Sequence, residues 1–403
     1  MSRCILHLDL DSFFCAVSAQ HDPRLQGKGF AVGGRPEERG VVASASYPAR
    51  LRGVRSAMSM AQALRLCPGL IIVPPDFPAY KAASRAVMQR LRARTPLVEQ
   101  LSIDEAFLDV TELHCDGGAL AAEIQDQISA ELDLSCSLGV ASNKLCAKVA
   151  TDQAKEAARA GKMPRAICVV PSGDEAAFLA PLPASALWGV GPKTAVRLAE
   201  LGMHTIGDIA AWPEEDLVRR FGKHGLVLSR HAHGIDNRPI ETQRVTKSVS
   251  QEETFPRDLT NQSALLRTID QQAAEVSAAL QRKRLTGTTV TIKVRWSDFQ
   301  TMTRQTTLPA VTDSASEIGA AAKRLFLQVW QPQKRPIRLI GVGMSALVDA
   351  PRQPSLWEAE HLQATTDRQE HLNATMAQLR GRFGQNAVRR GTELLDPTAH
   401  DSP

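Results

Sequence analysis

The sequence predicts an α+β multidomain protein: a ferredoxin-like sheet with a small unit inserted near its start, an all-helical segment, and a separate α+β unit. Three observations carry this. Apolar runs at 4–11, 97–110 and 135–141 alternate with helical patterns at 12–17, 80–95, 119–132 and 142–150. That is the order β-helix-ββ-helix-β, with helices expected on one face and residues 22–77 inserted after the first helix. Residues 171–240 show helical patterning alone, and strand patterning returns within 245–349. A chain of 403 residues has room for three or four such domains.

The first strand, Ile5-Leu6-His7-Leu8-Asp9-Leu10-Asp11, ends in acids, and alternation puts Asp9 and Asp11 on one face. Ser12 follows as the N-cap of a helix beginning Phe13-Phe14. The helix start points backbone N–H groups toward the acids, an arrangement that favours phosphate. The second acidic run is Leu101-Ser102-Ile103-Asp104-Glu105-Ala106-Phe107-Leu108-Asp109. Adjacent carboxylates in an apolar run are costly unless a positive charge sits among them. A hard divalent cation with oxygen ligands would satisfy Asp9 and Asp104 together, whereas the pair taken alone also suits a solvated turn. In the inserted unit, Ser44, Tyr47 and Arg50 supply two hydroxyls and a forked guanidinium for phosphate oxygens.

Between 142 and 150, Ser142-Asn143-Lys144-Leu145-Cys146-Ala147-Lys148 opens a further helix. Trp188-Gly189-Val190-Gly191-Pro192-Lys193 has the form of a helix-hairpin-helix turn, whose backbone N–H groups and Lys193 suit a phosphate. Residues 236–244 read as a linker. Residues 244–349 carry 15 Lys and Arg against 9 Asp and Glu, while the whole chain is only +5. A localised basic domain is the footprint of a phosphate-backbone binder. Within it Thr289–Trp296 alternates strictly, turning Lys293 and Arg295 outward; Lys247 lies near its start. Helices are expected at 262–284 and 313–329, and a last strand at 337–344.

The tail, 350–403, holds the peptide Gln353-Pro354-Ser355-Leu356-Trp357 and one apolar helix face, Leu372, Met376, Leu379 and Phe383. Seven scattered cysteines form no Cys-x-x-Cys pair, which fits a reducing cytoplasm better than a disulfide framework or zinc site. Neither a signal peptide nor a membrane span is expected.

Taken in order, the motifs at 7–14, 47–50, 53–58, 102–109, 142–148 and 188–191 resemble the Y-family DNA polymerases of the DNA polymerase IV (DinB-like) type. The resemblance implies a palm of 1–20 and 78–168, fingers of 21–77, a thumb of 169–235 and a little finger of 245–349. It implies two Mg²⁺ ions held by Asp9, Asp104, Glu105 and the Leu10 carbonyl, with Asp9, Asp104 and Glu105 catalytic. It places Phe13, Phe14, Ser44, Tyr47, Arg50 and Lys148 around a dNTP, with Phe14 as steric gate against a 2′-hydroxyl. Asp11 is expected to be structural. Gly189, Gly191, Lys193, Lys247, Lys293 and Arg295 would meet primer–template DNA. Gln353, Leu356 and Trp357 resemble a sliding-clamp-binding peptide. One departure is the alanine-rich 153–164, where many members carry Lys-Pro after a short loop. The function implied is low-fidelity translesion synthesis by a cytoplasmic monomer, without proofreading. An inactive accessory protein binding DNA and clamp would have no need of the three acids. A nucleotide cyclase would have no need of the basic unit.

Overall fold

The computed structural model describes residues 3–157, 164–331 and 334–349, together with 375, 378, 379 and 382. They form two compact units, one chiefly of residues up to Thr246, the other chiefly from Lys247 onward.

In the first unit, β1 (Ile5–Leu10) is central, and residues 5 to 8 have no exposed surface. Such a run of apolar residues on both sides is what a strand covered on two faces needs. Ser12 then reverses the chain with a left-handed φ of 49° before α1 (Phe13–His21). The serine sits at the cap position, as expected, but does not cap with its side chain. Its hydroxyl instead donates to the Ala45 carbonyl at 3.3 Å. The inserted unit is built from β2 (Phe30–Gly33), β3 (Val42–Ala45), α2 (Tyr47–Leu51), α3 (Met60–Leu66) and β4 (Ile71–Val73). Its sheet has the order β3-β2-β4 and a core of its own around Ala31, Val42, Val54 and Met60.

The chain returns through α4 (Phe77–Arg94), which Asp76 caps at the Ala79 N–H, 3.1 Å. There follow β5 (Val98–Gln100), β6 (Glu105–Asp109), α5 (Gly117–Leu132), β7 (Cys136–Ala141), α6 (Lys144–Ala157) and β8 (Ile167–Val169). The sheet order is β5-β6-β1-β7-β8. Two expectations need correction. Residues 101–104 are not strand: the Ser102 hydroxyl accepts the N–H groups of Asp104 (3.2 Å) and Glu105 (3.0 Å), so a local turn takes donors that a ladder would use. Asp104 therefore stands just before β6. Helices also cover both faces. Leu6, Leu8 and Leu108 pack with α4 and α5, whereas Ile5 and Phe107 pack with α6. A strand with apolar residues on each side cannot leave either face to water.

The seating of α6 depends on Gly139 in β7. A Cβ there would lie 2.0 Å from the Ala147 carbonyl and 2.6 Å from the Thr151 nitrogen. Gly139→Ala is expected to cost about 2–3 kcal/mol, because helix and sheet must part to admit a methyl group. Urea denaturation measures this, and an unchanged midpoint would contradict the close approach.

Helices α7 (Glu175–Leu179), α8 (Pro192–Glu200), α9 (Ile206–Ala211), α10 (Glu214–Phe221) and α11 (Lys223–Ala232) follow, in agreement with the helical pattern of 171–240. Their core residues Leu187, Leu198, Met203, Ile206 and Leu217 are continuous with the α6 face of the sheet. The start of the expected linker is tied down: the Asp236 carboxylate accepts the Leu145 N–H (3.1 Å) and pairs with Arg238 at 2.7 Å.

The second unit runs β9 (Ser248–Leu259), α12 (Gln262–Lys283), β10 (Thr286–Trp296), β11 (Thr301–Thr312), α13 (Ala315–Trp330) and β12 (Ile337–Val348), with sheet order β11-β10-β12-β9. Val290, Ile292, Val294 and Trp296 are buried, as their alternation predicts. Strands β9 and β11 were not anticipated. Both are edges, both are largely exposed, and each contains a proline, Pro256 and Pro309. Edge strands carry a weak apolar signal and tolerate proline.

Candidate active site

The acids of the two runs meet at one end of the central strands. Antiparallel pairing sets Asp9 opposite Glu105, and the Leu10 N–H donates to the Asp104 carbonyl at 3.0 Å. A cavity of about 450 Å³ opens here. Asp9, Leu10, Ser12, Phe13, Phe14 and Asp104 line it together with Ser44, Tyr47, Arg50, Leu51, Arg55, Ser56 and Lys155. Of the residues expected around a nucleotide, all except Lys148 thus border this space.

Lys148 does not border the cavity. Its ammonium pairs with Glu105 at 3.1 Å, and the cavity is served by Lys155, two turns further along α6. Lys155 contacts Asp9 and lies 3.3 Å from Asp11. Burial alone would lower its pKa, but the two carboxylates outweigh that and raise it, so it stays charged. The signal for Lys155 was in the sequence. It stands at i+7 from Lys148, on the same helical stripe, inside the alanine-rich stretch that read as a departure. That stretch is helical through Ala157 because Ala, Gln, Lys and Glu are strong helix formers.

Asp11 has no exposed surface and accepts hydrogen bonds from Ser135 (2.7 Å), Ser137 (3.0 Å) and the Arg165 N–H (3.2 Å). It anchors the strand ends and holds Lys155, a structural role. Asp104 is fixed by the Ser102 hydroxyl, 2.5 Å from its Oδ1. Burial pushes the Asp9 carboxyl up to about 7; Lys155 opposes this, and the Glu105 and Asp104 charges add to it. The Tyr47 phenol is pushed well up by burial and then by Asp11, so it remains a neutral donor. His7, fully buried, is held well below its ordinary pKa by burial and then by Lys148 and Lys155.

Among the described residues no three acids, histidines or cysteines converge closely enough to ligate one ion as they stand. Lysines occupy the carboxylates instead: Lys155 on Asp9 and Lys148 on Glu105. The donor set nonetheless fits a hard divalent cation. It consists of carboxylate oxygens, and Asp9 sits among like charges that a cation would relieve.

Phe14 is half-buried at the cavity wall. Its ring stacks on Tyr80 at 4.4 Å and 15°, with Phe77 edge-on at 6.2 Å. Phe13 is 2% exposed, a core residue with one edge on the cavity. Arg50 Nε is held by the Ala45 carbonyl at 2.8 Å and its guanidinium lies 5.6 Å from the Tyr47 ring centre.

The other predicted contacts lie elsewhere. Gly189 has a φ of +102°, a left-handed turn that favours glycine, and Gly191 precedes Pro192 and the exposed Lys193 at the start of α8. On β10, Lys293 pairs with Glu252 at 2.7 Å and Arg295 donates to Thr301 Oγ1 at 2.8 Å, both on the outward side; Lys247 is exposed. Gln353, Leu356 and Trp357 lie outside the described residues, as do Leu372, Met376 and Phe383; Leu379 is helical.

A model of the impB/mucB/samB family matches residues 8–152, and one of that family's C-terminal domain matches 246–356. The chain is 38% identical over 399 residues to DNA polymerase IV 1 of Bacillus subtilis, covering 98% of this chain and 94% of that one. It is 40% identical over 349 residues to DNA polymerase IV of Ralstonia nicotianae, covering 85% and 93%. The chain belongs to the Y-family DNA polymerases of the DinB type. Solved Y-family structures agree. A chimera of Dbh and Dpo4 aligns with a TM-score of 0.78 at 26% identity, over 86% of this chain and all of that one. An insertion ternary complex of Dbh DNA polymerase aligns at 0.59 with the same identity and coverage. The Y-family chain is a DNA-directed DNA polymerase, and its function is that of DNA polymerase IV, translesion synthesis. Among its described residues no helix is long and apolar enough to cross a membrane.

Proposed function

We propose that this polymerase adds dNTPs to a primer 3′-hydroxyl by two-metal nucleotidyl transfer, at low fidelity and without proofreading. The observation that carries the mechanism is that Asp9 and Asp104 line the same cavity as Tyr47, Arg50 and Lys155. Acids and phosphate-binding groups share a space of nucleotide size.

Two Mg²⁺ ions would be held by Asp9, Asp104, Glu105 and the Leu10 carbonyl; bound there, they would stabilise the attacking and leaving oxygens of an in-line displacement. The chain's own groups do the remainder. Tyr47 donates a hydrogen bond to the triphosphate as a neutral phenol, Arg50 offers forked donors, and Ser44 lies beside them. Lys155 adds charge on the leaving pyrophosphate, a role expected of Lys148 and better suited to the residue on the cavity. The primer hydroxyl attacks the α-phosphorus, the P–O bond to pyrophosphate breaks, and the hydroxyl proton leaves on the side where Glu105 stands. The Phe14 ring, backed by Tyr80, presents a rigid face to the sugar and excludes a 2′-hydroxyl by clash.

Gly189, Gly191 and Lys193 would touch phosphates of primer–template DNA by backbone N–H and charge, and Lys247, Lys293 and Arg295 would track the backbone without reading bases. The peptide at 353–357 would bind a sliding clamp through Gln353, Leu356 and Trp357. Its deletion is expected to abolish clamp stimulation and leave distributive synthesis unchanged; full stimulation of the truncated form would return the peptide to a spacer. The protein would act as a cytoplasmic monomer. Single-dNTP primer extension on undamaged and adducted templates tests the whole reading: extension past the adduct, with frequent misinsertion and no trimming of a mismatched end, is expected. Stalling at every adduct with accurate synthesis elsewhere would oppose it.

A further inference from the structure

We propose that His7 and Thr151 form a latch that fixes the rotation and height of α6 on the catalytic sheet, so that Lys155 meets Asp9 and Lys148 meets Glu105. His7 is then a positioning residue. The inference rests on the reading of Lys155 as a triphosphate ligand.

Three strands form a row beneath α6. His7 on β1 is paired with Phe107 on β6 and with Gly139 on β7. Gly139 lets the helix backbone rest on the sheet, as the 2.0 Å from its missing Cβ to the Ala147 carbonyl shows. Phe107 closes the other side, with its ring 4.8 Å from the imidazole. Gly139 allows close approach but does not by itself choose which residue of α6 sits there.

The choice is made by hydrogen bonds. Thr151 Oγ1 lies 3.1 Å from the carbonyls of both His7 and Ala147, and 2.9 Å from His7 Nδ1. We assign its single proton to one of these carbonyls, which leaves the oxygen to accept from Nδ1–H. The imidazole therefore carries its proton on Nδ1. Its Nε2 is buried with no partner, a cost that Ile5, Leu6 and Leu8 in the same strand avoid. A buried polar side chain in an otherwise aliphatic run, with one nitrogen left unpaired, is explained if the other nitrogen performs a task.

That task is visible in the spacing of α6. Lys148, Thr151 and Lys155 stand at i, i+3 and i+7 and share one face. A rotation of α6 by one residue, about 100°, would withdraw both lysines from their carboxylates. One bond to His7 thus sets two ion pairs, at Glu105 (3.1 Å) and at Asp9.

Thr151→Val keeps the shape and removes the hydroxyl; Thr151→Ser keeps the hydroxyl. In single-nucleotide incorporation by the full chain on primer–template, Thr151→Val is expected to raise the KM for the correct dNTP about tenfold with kcat within about twofold, the scale seen when a supporting partner of a ligand is lost. Thr151→Ser should return KM to within about twofold of the parent. General destabilisation would instead lower kcat through a smaller active fraction and leave KM unchanged. Lys155→Ala is measured alongside. A raised KM in Lys155→Ala with a parental KM in Thr151→Val overturns the latch alone. A parental KM in Lys155→Ala overturns the triphosphate reading and the latch with it. Nitrogen NMR of the parent, with ¹⁵N-histidine, gives a second arm: His7 should be the Nδ1–H tautomer, and a proton on Nε2 overturns the latch whatever the kinetics.

Discussion

Asp104→Ala is expected to reduce single-turnover primer extension by on the order of a thousandfold, or about 4 kcal/mol of transition-state stabilisation. The substitution is informative because of where Asp104 stands. It occupies the turn before β6, partly exposed, with the Ser102 hydroxyl as its hydrogen-bond partner. No core contact is lost, so stability should change by no more than about 0.5 kcal/mol. Primer–template affinity, measured by fluorescence anisotropy, should be close to parental, because the groups expected on DNA lie at the start of α8, just before β9 and on β10. A rate equal to the parent's would remove Asp104 from the chemistry. A parallel loss of DNA binding would mean the turn serves structure instead.

The second large effect is expected at the sugar. Phe14→Val should raise ribonucleotide incorporation relative to dNTP incorporation by about a hundredfold, which corresponds to about 3 kcal/mol of relieved clash. Phe14 is suited to this because it does not move easily. Tyr80, fully buried, lies parallel beneath it, and Phe77 meets both rings edge-on. A ring held on two sides rejects a 2′-hydroxyl by shape, whereas a free ring would turn aside. Valine keeps an apolar wall but ends short of the sugar. Competition between dCTP and CTP opposite template guanine gives the ratio directly, and an unchanged ratio would take Phe14 out of the gate.

The strand carrying Asp9 was legible because its neighbours are aliphatic on both sides, a pattern few elements other than a central strand can satisfy. The alternation of Val290, Ile292, Val294 and Trp296 was legible for the complementary reason, one face buried and one wet. What escaped follows from competing local chemistry. At 101–104 the residues looked like strand, but one serine hydroxyl satisfied two backbone donors and made a turn of it. At β9 and β11 the edge position removed the apolar signal. At α6, Lys148 and Lys155 fall on one stripe, so the sequence presented two equivalent cations; which of them borders the cavity depends on how the helix is seated on the sheet, a long-range contact between residues far apart in the chain. The left-handed Ser12 lay beyond reach for a similar reason: its hydroxyl donates to Ala45 in β3, a partner far away in sequence.

The central claim is that acids from the ends of β1 and β6 hold divalent ions against a nucleotide's phosphates. Mn²⁺ serves as the direct probe. Its bound stoichiometry can be counted by electron paramagnetic resonance, with the full chain on a dideoxy-terminated primer–template and a non-hydrolysable dNTP. Two ions per chain are expected for the parent, and fewer, with weaker affinity, for Asp9→Ala and Asp104→Ala. Parental stoichiometry and affinity in both variants would contradict the account.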